Sequence, residues 1–537
     1  MNEKFKYIIF SALFGLFLSF ALPNLRANRI YGEMDNTGQS KDQPNLLFIM
    51  TDQQRFDAMS CAGNEVLETP NMDRIAREGV MFKNTYTANP VCVPARAVFL
   101  TGLSCVNARV ESNGDYTSKE VPDVPTFDRI LKENGYAAEY YGKWHTPYQF
   151  ADCYDNDVKV VGNIEGAPGL IKAYQAWLVS KGVTRKEPGE DELFSGRNQR
   201  PYKPVELDYN YDKAVLDTDE KMKLNAKQST QYGRVELPPR ISYAAFTAEE
   251  TLEALERLKD GPFTLTCSFD PPHPPMIVQD PYYSMYSPEI IPAPESITDP
   301  MEDSPYRERA NQTDQMRYRD AEQIRHMRSI YYGMVREIDD WIGEILTKLD
   351  ELGLAENTLV IFTSDHGEML GDHGMHSKTI FYEGSVHVPL LIRFPGRIKP
   401  GTIVESPVST MDISPTILDY LGMPIPSCDG ISLRTFVEGK PLDHDVVSFS
   451  RGNSTPNYMI RSGDLKMMIA ENEKNQSVDA LYDLNSDPNE MRNLIISPVS
   501  HSKNREQADK MKERLVKWME IHEPNKANDL RQRELYR

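Results

Sequence analysis

The sequence predicts an α/β protein: a large, mostly parallel, doubly wound sheet flanked by helices, followed by a small antiparallel sheet with a helix. Three observations predict it. From residue 45 to about residue 442, apolar runs of strand length alternate with capped, amphipathic stretches of helix length. Several of these runs empty into a short polar motif, and open α/β sheets bind ligands beyond the carboxyl ends of their strands. Beyond about Asp443, short strand-like runs with short links precede one late charged helix, the pattern of an antiparallel meander.

Taken in order, Asn45 to Thr51 is an unbroken apolar run, as expected of a central strand covered on both faces, and it ends in Asp52-Gln53. Thr69-Pro70 caps a helix that closes at Gly79, and Cys92 stands at the start of the next one. A helix from about Thr126 stops at Gly135, and the strand Tyr136 to Tyr141 delivers Gly142-Lys143-Trp144-His145. Thr247 caps a predicted helix to Leu258, with Glu249 and Glu250 in its first turn. The strand Phe263 to Phe269 leads into Asp270-Pro271-Pro272-His273. An amphipathic helix from about Gln323 to Leu352 ends at Gly353 and precedes a strand, Thr358 to Thr363, that empties into Ser364-Asp365-His366-Gly367. The predicted C-terminal strands are Val446 to Ser450, Tyr458 to Arg461, Leu465 to Ile469 and the run around Leu481 to Leu484. The late helix spans about Lys503 to Ile521. The expected division is a signal peptide at 1–27, a catalytic domain at 42–442 with a charged insertion at 155–239, and a C-terminal subdomain at 443–537. The segment Ser296 to Arg319 reads as a second charged loop.

Composition bounds the function. The chain has 537 residues, 40% hydrophobic and 26% charged, as in a soluble globular enzyme with room for two packed domains. A formal net charge of −20 argues against nucleic acid and anionic membranes as partners, so an anionic substrate would need a local basic pocket. Lys4 and Lys6 precede an uncharged apolar run from Tyr7 to Leu22, short for a membrane span and typical of a secretory signal peptide cleaved near Ala27. No cysteine follows that run, which argues against a lipid anchor. The expectation is an exported protein without stable membrane insertion, periplasmic in a Gram-negative host. Cys61, Cys92, Cys105, Cys153, Cys267 and Cys428 show no Cys-x-x-Cys spacing, and no disulfide can be assigned from them.

The chemistry gathers in a few strings. Cys92-Val93-Pro94-Ala95-Arg96, followed by Thr101-Gly102, puts a thiol at the positive end of a helix with an arginine one turn on, able to hold an anion beside it. Asp52, Gln53, Asp365 and His366 end two strands that would be neighbours in such a sheet. Three offer oxygen, which suits a hard cation such as calcium, whereas His366 offers nitrogen and widens the choice of metal. An aspartate at a strand end is also an ordinary helix cap. Lys143 and His145 share one short segment, His273 lies within a proline-rich turn, and Asp372 to Lys378 holds His373, His376 and Lys378 as further candidates.

Together these strings resemble the formylglycine-dependent sulfatases of the alkaline phosphatase superfamily over nearly the whole chain. The string Phe381 to Gly396 carries the resemblance as well. The resemblance implies that a sulfatase-maturing enzyme oxidises Cys92 to formylglycine, whose hydrate attacks sulfur. It implies that Asp52, Gln53, Asp365 and His366, with residue 92, hold one calcium ion. It places Arg96, Lys143, His145, His273 and Lys378 around the sulfate, with His273 as the acid for the leaving oxygen and Lys378 as its helper. Many sulfatases carry Asp at the position of Gln53 and Asn at that of His366. The pairs here are similar to those of choline sulfatases and phosphonate monoester hydrolases. The charged insertion and the exported location favour a sulfated glycan as substrate, with Arg200 and Lys203 as candidate contacts to its further anionic groups.

Overall fold

The strand β1 (Asn45–Asp52) is buried at all eight positions, and its side chains divide between two cores as strand alternation requires. Leu47 and Ile49 enter one apolar cluster; Leu46, Phe48 and Met50 enter another on the opposite face. Each fully buried side chain of this size contributes roughly 1.5–3 kcal/mol, so β1 tolerates no slip of register. The computed structural model describes residues 43–117, 120–156, 160–161, 168–182, 232–234, 240–274, 276–307, 320–440, 442–451, 457–470, 478–496 and 502–535. The expected signal peptide, most of the insertion with Arg200 and Lys203, and residues 308–319 of the second charged loop lie outside the described residues.

The main sheet adds β2 (Val80–Phe82), β3 (Ala137–Lys143), β4 (Val160–Val161), β5 (Phe263–Pro272), β6 (Thr358–Ser364), β7 (Leu390–Arg393) and β8 (Thr402–Val404). Its order is β8-β2-β7-β6-β1-β5-β3-β4. All neighbours pair parallel except β7, which runs antiparallel to both β6 and β2. Thr51 pairs with Ser364, so Asp52 and Asp365 leave the sheet side by side. On the other flank β5 and then β3 deliver their own polar ends.

Helices α1 (Pro70–Glu78), α2 (Cys92–Thr101), α3 (Phe127–Glu133), α4 (Tyr243–Leu258) and α5 (Ala321–Glu351) cover the sheet. In α5, Met327, Val335, Ile338 and Ile342 lie along the stripe that packs on the cluster of Leu47 and Ile49, while Asp320 caps its first N–H groups. Two caps differ from expectation. Helix α4 starts earlier, at Tyr243, because Ser242 accepts from the Ala245 N–H; Thr247 lies inside the helix and bonds back to the Tyr243 carbonyl. Thr69 does not cap α1. Its hydroxyl pairs with Ser60, and Asp339 of α5 receives the Asn71 and Met72 N–H groups instead.

The C-terminal strands β9 (Val446–Phe449), β10 (Tyr458–Ser462), β11 (Leu465–Ile469) and β12 (Ala480–Asp483) form an antiparallel meander in chain order, with α6 (Ser502–His522) against it. One face, with Phe449, Ile460 and Met467, packs on Leu515 and Met519 of α6 and on Val98 of α2. The other, with Met459 and Met468, packs on Met369, Phe381 and Tyr382. The meander is therefore a floor under the segment that carries Lys378. Among the described residues no helix is long and apolar enough to cross a membrane.

Candidate active site

Four side chains from three elements converge: Asp52 at the end of β1, Cys92 at the first position of α2, and Asp365 and His366 just past β6. All are buried, and one potential ligand atom from each lies within 4.8 Å of the others. The Cys92 Sγ is 3.1 Å from His366 Nε2 and 3.9 Å from Asp52 Oδ1. The imidazole Nδ1 lies 3.0 Å from the Gly367 carbonyl oxygen and is the nitrogen that donates to it, which turns the Nε2 lone pair toward the cluster. Two carboxylates, an imidazole lone pair and the residue 92 side chain facing one another, away from water, fit a divalent cation.

Arg96, one turn into α2, braces the carboxylates. Its Nε donates to Asp365 Oδ2 at 2.9 Å and one terminal nitrogen to Asp52 Oδ2 at 3.1 Å. The other terminal nitrogen donates to the Lys143 carbonyl and to Ser268 Oγ. Four of its five N–H groups are thus engaged in bracing the strand ends, which leaves one N–H on the Asp52 side for an anion. Burial disfavours the Asp52 carboxylate, yet Lys143 and the other nearby cations hold its pKa well below the usual range. Asp365 goes the other way: burial and the Asp52 charge push it to about 7.

Lys143 ends β3, with Nζ 2.7 Å from Asp52 and 3.3 Å from Asp270. Its approach depends on Gly142, whose φ is +97° and where a Cβ would lie 1.8 Å from the Ser268 carbonyl oxygen. Burial is the largest single influence on the Lys143 ammonium and lowers its pKa, but Asp52, Cys92 and Asp270 together outweigh it and raise the pKa above its ordinary range. Two residues on, His145 adopts a left-handed φ of +46° and is 2% exposed. Neither ring nitrogen has a hydrogen-bond partner, and burial, with Lys143 and Arg96 beside it, lowers its pKa to about 2. Tyr116 packs edge-on against this ring at 5.3 Å.

His273 follows the proline turn at the end of β5, with Nδ1 2.7 Å from the Pro274 carbonyl oxygen. Burial and then Lys378 and Lys143 depress its pKa, so it belongs to the same charged group. Lys378 Nζ donates to Gln53 Oε1 at 2.5 Å. The Gln53 side chain is therefore directed at Lys378, while its backbone N–H donates to Asp365 Oδ1. Elsewhere in that segment, Asp372 and His373 serve the fold. Asp372 pairs with Arg55 and Arg328, and His373 pairs with Asp299 and stacks on Tyr382.

Sequence reasoning missed Glu368, Ser268, Asp270 and Tyr116. Glu368, one residue beyond the Asp365-His366-Gly367 string, is fully buried and receives the Gln53 side-chain amide. Its place two residues past His366 was the available signal.

The match that decides the relationship spans residues 44–423, which fit the family model described as Sulfatase. The chain belongs to the sulfatase family. Residues 371–520 of this sulfatase also match the model described as N-sulphoglucosamine sulphohydrolase, C-terminal. An arylsulfatase of Clostridium perfringens is 29% identical, with 90% of this chain and 95% of that one covered. An N-acetylglucosamine-6-O-sulfatase of Bacteroides thetaiotaomicron is 28% identical, with 91% and 88% covered. Among solved structures, a phosphonate monoester hydrolase of Agrobacterium radiobacter superposes with a TM-score of 0.68 at 25% identity, covering 89% of this chain and 96% of that one. The sulfatase is a sulfuric ester hydrolase of the alkaline-phosphatase-like superfamily, and its family implies a formylglycine and a metal.

Proposed function

We propose that this sulfatase is exported and removes sulfate from sulfated glycan fragments, using formylglycine made from Cys92 by a maturing enzyme and one calcium ion. The observation that carries the anion site is His145. A buried imidazole with two unpartnered nitrogens, in the field of Lys143 and Arg96, is completed by a sulfate oxygen on one side and a bound hydroxyl or water on the other. Asp52, Asp365, His366 and residue 92 would hold the cation, with Gln53 adjoining through its contact with Lys378. When present, the cation supplies Lewis acidity to a sulfate oxygen and the hydrated aldehyde supplies the nucleophile.

The chain's own groups do the rest. Lys143 and His145 hold sulfate oxygens, and Arg96 keeps the two carboxylates in place. With Nδ1 tied to the Pro274 carbonyl, His273 is left with Nε2 as the atom that passes a proton to the leaving sugar oxygen. A sulfate anion beside it raises this depressed pKa. Lys378 stabilises the same departing oxygen.

The glycan reading is supported by the N-acetylglucosamine-6-O-sulfatase relative and by the charged insertion. A second reading, phosphonate monoester or choline sulfate hydrolysis, is favoured by the Agrobacterium structure and by the Gln53 and His366 choices. The test is protein co-expressed with a maturing enzyme. A mass spectrum of the Cys92 peptide and the divalent ion content should show the aldehyde and one calcium. The kcat/KM should be higher on sulfated N-acetylglucosamine oligosaccharides than on choline sulfate or an aryl phosphonate monoester. The reverse order would replace the glycan reading with the second.

A further inference from the structure

Lys378 is presented by an improbable piece of backbone. Its two neighbours, Ser377 and Thr379, have φ of +69° and +80°, and a β-branched residue avoids that region in most folds. Something must hold this loop, and Glu368 is placed to do so. Its Oε2 accepts from Gln53 Nε2, and its Oε1 accepts from the backbone N–H groups of Ser377 and Leu370. One fully buried carboxyl group thus fixes both the loop beside Lys378 and the side chain that Lys378 contacts.

The contact with Gln53 also sets an orientation. An amide side chain has one donor end and one acceptor end. Because the donor end of Gln53 is taken by Glu368, its carbonyl oxygen is the end that faces the Lys378 ammonium. A reversed amide would point N–H groups at a cation. We infer that Glu368 is a positioning residue for Lys378, acting through the Gln53 amide and the Ser377 backbone. The inference rests on the reading of Lys378 as a group that meets the sulfate ester.

A glutamine at this position has nearly the same shape, but one of its two ends must be an NH2, which then opposes a donor either on Gln53 or on Ser377 and Leu370. Glu368→Gln should therefore loosen Lys378 without touching Asp52, Asp365 or His366. The expected result is about a 10- to 100-fold loss of kcat/KM on an aryl sulfate, the range seen when groups behind a site's ligands are removed. Inorganic sulfate, measured by calorimetry, should bind several-fold more weakly, while divalent ion content stays at the wild-type level. Glu368→Asp keeps an acceptor and should recover part of both. The deciding measurement is the cycle with Lys378→Ala: once Lys378 is gone, Glu368→Gln should cost less than about threefold more.

Losses that multiply undiminished in the Lys378→Ala background would overturn the inference, as would a Glu368→Gln enzyme with wild-type turnover and sulfate affinity. If Glu368→Gln does not fold, the same cycle is run with Glu368→Asp and read by the same criterion. Matured wild-type enzyme that neither binds sulfate nor cleaves any ester would fail the functional reading and this inference with it. An active wild type with an indifferent Glu368 fails this inference alone.

Discussion

Replacing His145 with leucine should make the sulfate-free enzyme more stable while destroying its activity. The neutral ring carries one donor and one acceptor, both buried without partners at 2% exposure. Leaving a buried polar group unpaired costs about 1–3 kcal/mol, so an apolar side chain of similar size should gain on the order of 2 kcal/mol or more in urea unfolding at pH 7.5. Leucine suits the left-handed φ at this position less well than histidine, which takes back part of that gain.

The pH dependence gives an independent check. His145 in the folded chain takes a proton only near about pH 2, against 6.5 for an ordinary histidine. Below pH 6.5 the unfolded chain binds more protons than the folded one. The stability due to a neutral His145 is therefore complete above pH 6.5 and lost as the pH falls, at about 1.4 kcal/mol per unit. His145→Leu should remove that share of the slope between pH 6.5 and 5. Sulfate at 100 times its dissociation constant should stabilise wild type by about 2.7 kcal/mol and the variant by less. A variant that is less stable than wild type, keeps the full pH slope and gains as much from sulfate would refute the claim that His145 is held unpaired for an anion.

Three further outcomes follow from the geometry. Cys92→Ala should abolish sulfate release while the urea midpoint stays near wild type, and Cys92→Ser should do the same in a host whose maturing enzyme accepts only cysteine; release by either unmodified variant would sink the aldehyde reading. His273→Ala should lose about 100- to 10,000-fold on a sugar sulfate but far less on an activated aryl sulfate, since only a poor leaving group needs its proton; equal losses on both would make His273 a sulfate holder. Gly142→Ala puts a methyl group 1.8 Å from the Ser268 carbonyl oxygen, and β3 and β5 would have to part at the site. The expected cost is at least about 3 kcal/mol in urea unfolding together with loss of turnover, and a wild-type midpoint would contradict the strand spacing described.

Local residue patterns were enough to set most of the elements and the chemical inventory. The run Asn45 to Thr51 could hardly be anything but a central strand, since no polar residue interrupts it before Thr51. Cys92 with Arg96, Lys143 with His145, and Asp365 with His366 were legible because each pair is local in the chain. The caps failed where the partner was distant: Asp339 on α5 completes α1, 268 residues away from Asn71, so nothing near Thr69 could announce it. The same limit governed the site. That Arg96 faces two carboxylates became visible only when the β1–β6 register placed Asp52 beside Asp365. That Gln53 turns to Lys378 and Glu368 depends on the 368–378 loop folding back over the strand ends. Periodicity and residue type act over a few neighbours along the chain. The partner a buried polar group finds is set by which strands lie side by side, and only the folded sheet decides that.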